Sequence, residues 1–489
     1  MSKPPYRVVP LLALLLLSAC SMQSLRAPDL ASAYLHAEGR LADCAALFVH
    51  ADKLTTDAAV ADVQVARLPG FPYLRVNRLL ASLRQELQDQ DKLQLWLKMM
   101  RNLDQQARAY ELRNAAVKEE DEVRAKLDGC AELLLQADLQ DPAQVEKIKQ
   151  TAVVPDDYID GYRILGVYPL SSVFVKSGVR RLHKKIKAAF ASTAEELASL
   201  VIYAAAEASA IGEIDVAHIL QSSSANALSI PTLSEQDEDR LFKHFAPVWE
   251  LDVLSGEDII GKPYWDAEEK IMIKTNDAVT YRHLSYTRIN GQILPQFNYI
   301  IWLPSRPAKG AFDILAGHLD GLTWRVTVGR DGKALMYDAM HNCGCYHMFF
   351  PAGNTAIGEP AQGKNEEPLL VPLRAPVLLA GQRLHVRIAA GSHYIESVRA
   401  RAVAAEYTTY RFADYSELRS LALKNGGRKS MFGSNGIVPG TSRKERWLLW
   451  PMGVEDAGAM RQWGHHATAF IGRRHFDDAH LLERYFSFP

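Results

Sequence analysis

The chain has little cysteine, almost no net charge and, past its first twenty residues, no long apolar run. A net charge of −1 over 489 residues excludes the basic surface that a nucleic-acid binder needs. Without a further apolar stretch of about twenty residues, nothing later in the chain is expected to cross a bilayer. There are no internal repeats or low-complexity tracts, which excludes a solenoid or a disordered stalk. What remains is a globular chain long enough for two or three domains, whose apolar content of 48% supplies a large core.

The start of the sequence reads as processing information. Lys3 and Arg7 precede an apolar run from Val8 to Leu17, followed by Leu17-Ser18-Ala19-Cys20. That is the layout of a secretory signal, too short to span a membrane as a mature helix. The last four residues resemble the lipobox of bacterial lipoproteins. The resemblance implies removal of residues 1–19, a diacylglyceryl thioether on Cys20 and a further acyl chain, such as palmitate, on its new amine. Each buried methylene adds about 0.8 kcal/mol, so two or more chains anchor stably. Ser21, where an Asp would retain the protein at the inner membrane, implies outer-membrane sorting, with the chain facing the periplasm. The expected partners are the membrane, through this lipid, and an envelope protein or cell-wall material.

Beyond a tether at 20–35, residues 36–152 have helical periodicity. Leu41, Cys44 and Phe48 share one face, as do Val123, Leu127, Cys130 and Leu134. Asp141 is an N-cap before Pro142, and Phe71-Pro72-Tyr73 reads as a kink or loop. Cys44 and Cys130 lie on apolar faces in similar settings, and an oxidising compartment favours a disulfide between them. Residues 153–248 read as a helical connecting region. It holds the basic amphipathic stretch Gly178–Lys187, which suits either an anionic membrane surface or a solvated helix face. A further helix is expected over Thr193–Ala208, a linker at Ser222–Asn226, and a capping box from Ser234 to Asp237.

From residue 249 to 489 the texture changes to strands joined by tight turns, with Asn290-Gly291 and Asp331-Gly332 as hairpin loops. Helices are expected again after Tyr415. The fold class is therefore α+β: an α-helical N-terminal half, then an antiparallel β-rich C-terminal domain with terminal helices.

The densest chemistry in the chain is His341-Asn342-Cys343-Gly344-Cys345-Tyr346-His347. On a strand, His341, Cys343, Cys345 and His347 would project to one side. A hairpin at Asp331-Gly332 pairs residues of constant index sum, which would set Asp320 opposite Cys343 and His318 opposite Cys345. A bulge at Gly317 or Gly321 would flip this alignment. Thiolate with imidazole suits Zn²⁺ or Cu⁺. A straight strand separates His341 from His347 by roughly 20 Å, so only two or three neighbours can share one ion. His318, or the C-terminal cluster His465, His466 and His475, would complete the shell. Such a site makes a metal-dependent hydrolase the expected activity. The alternative chemistry is metal-free, with Cys345 as nucleophile and His318 as base. Gly344-Cys345 resembles the Gly-Cys at the nucleophile of L,D-transpeptidases, envelope enzymes, which implies acyl transfer on cell-wall material. That family's Ser-His before the glycine and Arg after the cysteine are absent here. In the third reading Cys343 and Cys345 form a disulfide and the protein is a non-catalytic envelope scaffold. Arg473 and Arg474, beside His475, could clamp a carboxylate or phosphate.

Overall fold

A computed structural model describes residues 38–191, 199–206, 212–358 and 366–489. The signal segment, Cys20 and the tether lie outside the described residues. Among the described residues no helix is long and apolar enough to cross a membrane.

The N-terminal block is built from α1 (Arg40–Asp57), a hairpin of β1 (Ala66–Leu68) and β2 (Phe71–Val76), α2 (Arg78–Leu83), α3 (Gln90–Asn114), α4 (Glu120–Leu139) and α5 (Pro142–Thr151). The hairpin corrects the kink expected at Phe71-Pro72-Tyr73. Only Pro72 of this strand is not fully buried, so its backbone runs extended through the core of the block, paired with β1. The Asp141 cap forms, its side chain accepting from Ala143 N with Pro142 in the first turn. Cys44 and Cys130 are disulfide-bonded, with Cα atoms 5.1 Å apart, tying α1 to α4. Arg75, fully buried on β2, is neutralised by Asp104 at 3.0 Å and Glu111 at 2.9 Å from α3. An unpaired buried charge would cost several kcal/mol, so α3 and the hairpin must fold together.

After α6 (Asp160–Leu165) and α7 (Tyr168–Ala191) comes β3 (Leu200–Ala205), which replaces the middle of the helix expected over Thr193–Ala208; residues 193–198 and 207–208 lie outside the described residues. The β-branched and aromatic run Leu200-Val201-Ile202-Tyr203 overrides the alanines that follow. Next are α8 (Glu213–Ser223) and α9 (Glu235–His244). Ser234 caps α9 by accepting from Asp237 N, as the sequence predicts. The strands that follow, up to Asp414, are β4 (Val248–Asp252), β5 (Lys262–Trp265), β6 (Ile271–Lys274), β7 (Val279–Ile289), β8 (Gln292–Arg306), β9 (Gly317–Val328), β10 (Ala334–His341), β11 (Met348–Pro351), β12 (Ala356–Ile357), β13 (Gln382–Ile388), β14 (Ile395–Ala402) and β15 (Thr408–Asp414). Ten of the strands form one sheet in the order β11-β10-β9-β8-β7-β15-β3-β4-β13-β14. The sheet is mixed: β15 runs parallel to both β7 and β3, and β4 runs parallel to β13. Beyond Tyr415 the chain is mostly turns, with short helices α10 (Arg446–Leu449) and α11 (Leu481–Tyr485).

The hairpin at Asn290-Gly291 forms with both residues at positive φ, 51° and 74°, the backbone of a type I′ turn. The sheet's central strands are buried on both sides. Phe297, Tyr299, Ile301, Leu322, Trp324 and Val326 fill one face. On the other, Arg325 pairs with Asp338 at 2.9 and 2.5 Å, and Arg325 also donates to the Phe476 carbonyl at 2.6 Å. The C-terminal turns are thereby fastened over the strands that carry the His/Cys segment.

Opening the Cys44–Cys130 loop in a Cys44→Ala/Cys130→Ala variant is expected to cost about 4 to 5 kcal/mol by the chain-entropy relation. Denaturant unfolding measures it, and neither cysteine should alkylate in the unreduced, denatured protein.

Candidate active site

The His/Cys segment is a turn, not a strand. β10 ends at His341, and Gly344 N donates to the His341 carbonyl at 2.7 Å while His341 N donates to the Cys345 carbonyl at 3.0 Å. Gly344 has φ of 90°, and a Cβ there would lie 2.8 Å from the Ala467 carbonyl, so the turn is packed directly on the C-terminal chain. Asn342 anchors it from below: its amide donates to the Ile301 carbonyl at 3.1 Å and its oxygen accepts from Thr323 at 2.8 Å. Gly321 makes room for that side chain, since a Cβ would meet Asn342 Nδ2 at 2.3 Å.

The constant-sum register holds from Met336↔Thr327 to His341↔Leu322, with an irregularity at Ala334–Met336. Because pairing stops there, the expected pairs Cys343 with Asp320 and Cys345 with His318 do not form. His318 bonds the Ile271 carbonyl at 2.6 Å. His347 lies between Asp338 at 2.8 Å and Thr468 at 3.2 Å, and burial, opposed by Asp338, lowers it to about 4. These two histidines are held by the fold. His466 bonds the Asn342 carbonyl at 3.2 Å, and burial lowers it to about 3. His465 lies between Asp157 at 2.9 Å and the Val63 carbonyl at 2.7 Å. His475 sits 3.3 Å from both Asp156 and Asp157, beside Arg473 paired with Asp156 and Asp160. His465 and His475 thus join the N-terminal block to the C-terminal chain, while His466 packs against the cysteine turn through a backbone carbonyl. Among the described residues no group of three or more His, Cys, Asp or Glu side chains is placed to hold a metal ion.

What does assemble is a chain of buried side chains centred on Asp320. His341 and Asp320 are diagonal neighbours on one sheet face, and His341 Nδ1 lies 3.4 Å from Asp320 Oδ1. The other oxygen of Asp320 is 2.9 Å from His393 Nδ1, whose Nε2 is 3.2 Å from Asp258. Gly321 N also donates to Asp320 at 2.9 Å, and the Arg443 guanidinium stands 3.7 Å away. Burial works against the Asp320 charge, but His341, His393 and Arg443 hold its carboxyl well below the usual range. Asp258 is likewise lowered to about 2: burial opposes, and His393 with the amides of Leu254, Gly391 and Ser255 prevails.

With carboxylates on both ring nitrogens, His393 must donate twice and is an imidazolium. Burial opposes that charge, yet Asp258 and Asp320 raise it. For His341, burial outweighs Asp320 and lowers the imidazole below its ordinary 6.5. The ring is neutral at pH 7, Nδ1–H donates to Asp320, and Nε2 is a bare acceptor. That Nε2 is buried and has no hydrogen-bond partner.

His341 lines a pocket with Cys343, Arg306, Leu315, Asp320, Tyr346, Arg443 and Glu445, with about 10 Å³ of room, enough for roughly one water. The Cys343 sulfur accepts from Cys345 N at 3.4 Å. Hydrogen bonding to Cys343, together with burial, pushes the Cys345 thiol far above its usual range. Cys345 therefore stays protonated at neutral pH, and Cys343 is the cysteine that lines the pocket. Burial pushes Glu445 up to about 7, against the pull of Arg443 and Arg306. His393, Asp258, Arg306, Arg443 and Glu445 were not foreseen from the sequence. They come from distant segments, and none stands in a motif.

Comparison with protein families, curated proteins and solved structures finds no match for this chain. The site must therefore be read from its own geometry.

Removing the central carboxylate in Asp320→Ala leaves the buried His393 imidazolium short of a partner, which should cost about 3 to 5 kcal/mol of stability. The His393 contribution has a sign. Its value is raised above 6.5, so the stabilisation is complete below that pH and is lost as pH rises through the folded value. In denaturation from about pH 5 to about pH 9, a range spanning the imidazole titration, the gap between wild type and His393→Gln should be widest at the acid end. A gap that widens toward alkaline pH would contradict the double ion pair.

Proposed function

We propose that the protein is a lipid-anchored cell-envelope enzyme of thiol-dependent acyl transfer or hydrolysis. Cys343 is the nucleophile, His341 its base, Asp320 the group that orients His341, and Glu445 the candidate acid. One observation carries this reading: a neutral, buried imidazole whose Nε2 has no hydrogen-bond partner lines the same pocket as Cys343. A base oriented by a carboxylate beside a nucleophile is the arrangement acyl transfer needs.

In the proposed reaction the Cys343 thiol proton passes to His341 Nε2 as the sulfur bonds to a carbonyl carbon. The leaving amine or alcohol takes a proton from His341 or from Glu445, which is suited to donate near neutral pH. Water or an acceptor then opens the thioester. Asp320 stays ionised throughout, holding the imidazole and compensating its charge. Arg306 adds positive charge on the same pocket. The anchor on Cys20 and the outer-membrane address, which follow from the lipobox resemblance, would place this chemistry among cell-wall material and envelope proteins.

Alkylation with iodoacetamide at neutral pH, mapped by mass spectrometry, tests the assignment. Cys343 should react at least about tenfold faster than Cys345, and His341→Gln should slow it by a similar factor, at the low end of what a positioned base contributes. If Cys343 reacts equally fast without His341, or not at all, the base and nucleophile are misassigned and the non-catalytic scaffold is the better reading. Stoichiometric zinc or copper in protein purified without chelators, lost on Cys343→Ser, would instead favour the metal-dependent hydrolase.

A further inference from the structure

Several of the large apolar side chains that the fold leaves in solvent lie on neighbouring segments. On α6 and α7, Ile164 is 77% exposed, Leu170 66%, Val173 64% and Phe174 79%. Trp447 and Leu448 on α10 are 68% and 62% exposed, and Phe312, in the loop before β9, is 95% exposed. These segments are in contact. Gly166 packs so closely on Pro451 that a Cβ would lie 2.3 Å from its side chain, the rings of Tyr162 and Trp450 meet edge-on at 6.2 Å, and Arg163 donates to the Met452 carbonyl at 2.9 Å. Glu445 N donates to the Ile314 carbonyl at 3.1 Å, which brings the Phe312 loop beside α10. Exposed apolar surface gathered in this way marks an interaction site.

The stripe along α7 also changes character partway along. Leu170, Val173 and Phe174 share a helical face with Arg181, Lys184 and Lys185, all exposed, because their spacings of three, four, eleven, fourteen and fifteen residues all return near the same angle. One continuous face is thus apolar for its first turns and basic after that. Glu396 lies near Lys185. A protein partner's apolar core would have no use for three aligned cations, whereas an anionic bilayer takes both halves: acyl chains receive the apolar turns, lipid phosphates the basic ones. Tryptophan, prominent here at Trp447 and Trp450, is the side chain favoured at that boundary.

We propose that α6, the outer stripe of α7, α10 and the Phe312 loop form a surface that seats the folded chain on an anionic lipid bilayer. The contact is additional to any lipid on Cys20 and independent of the pocket's chemistry. The same segments carry the pocket residues Leu315 and Glu445, so if the acyl-transfer reading holds, docking brings that pocket to a substrate presented at the lipid surface.

The test uses full-length protein carrying Cys20→Ser, which cannot be acylated, in co-sedimentation with phosphatidylglycerol vesicles and, separately, phosphatidylcholine vesicles. Binding should be tighter to the anionic vesicles and should weaken with salt. Each basic side chain near an anionic surface contributes about fivefold in affinity, so Arg181→Gln/Lys184→Gln/Lys185→Gln should lose about a hundredfold. Leu170→Ser/Phe174→Ser should lose binding to both vesicle types, and Cys343→Ala should bind unchanged, which separates this surface from the pocket. If the stripe variants bind as tightly as the parent, the apolar run Val8–Leu17 is responsible and the surface is overturned. It is overturned equally if the parent self-associates without lipid and Leu170→Ser/Phe174→Ser abolishes that association, since a second copy then covers the stripe.

Discussion

Asp320 is an ionised carboxylate almost without water, 1% exposed, and the centre of the β-rich domain is arranged around compensating it. A lone buried charge of this kind is prohibitive. The compensation comes from four places: His341 at the end of β10, His393 in the turn before β14, Arg443 from the C-terminal chain, and the amide of Gly321. Each donor is itself pinned. Arg443 bonds the carbonyls of Gly458 and Leu319 at 2.9 and 2.8 Å, and His393 is held from its far side by Asp258. Leu319, just before Asp320, takes φ of 54° although it is buried. A non-glycine residue persists there only when its surroundings overdetermine it. The strain sits beside a carboxylate that His341 and His393 share.

The turn carrying the cysteines inherits its position from this arrangement. His341 is the last residue of β10 and the first partner of Asp320, so the strand's end and the start of the charge relay coincide. From there Asn342 fixes the turn to β8 and β9, and Gly344 lets it close against Ala467. The two sulfurs are thereby given different roles. The Cys345 thiol stays protonated, while the Cys343 sulfur accepts from the Cys345 amide and Cys343 borders the pocket. A straight strand would have made them equivalent neighbours on one face. The turn makes them unequal.

How much of this was legible in the sequence depended on the range of the interaction involved. Local rules served well. The Asp141 and Ser234 caps, the Asn290-Gly291 hairpin and the paired settings of Cys44 and Cys130 each rest on a few adjacent residues, and each stands in the structure. The Asp331-Gly332 loop also yielded the right register for Met336–His341, and with it the shared face of His341 and Asp320. Extrapolating that register past His341 failed, because strand pairing was ended by contacts with Gly321 and Ala467 that no local pattern encodes. At Leu200–Ala205 the flanking alanines suggest helix, while the Val201-Ile202-Tyr203 run and a place between β15 and β4 make it a strand. His393, Asp258 and Glu445 were invisible because a charge relay across four segments leaves no spacing in the chain.

The N-terminal block cannot be a passive spacer on this architecture. Arg419, after β15, reaches back to Asp62 at 2.7 Å and lies over the Tyr110 ring at 4.2 Å. His465, between Asp157 and the Val63 carbonyl, has acceptors on both nitrogens and so carries a charge of its own. Arg78 on α2 pairs with both Asp157 and Asp477, at 2.9 and 3.1 Å. The C-terminal chain that supplies Arg443 and Glu445 to the pocket therefore closes on buried or half-buried charges of the helical block. Separating the two halves would strand charges on each side, so the helical block shapes the pocket from a distance by fixing the chain that forms its outer wall.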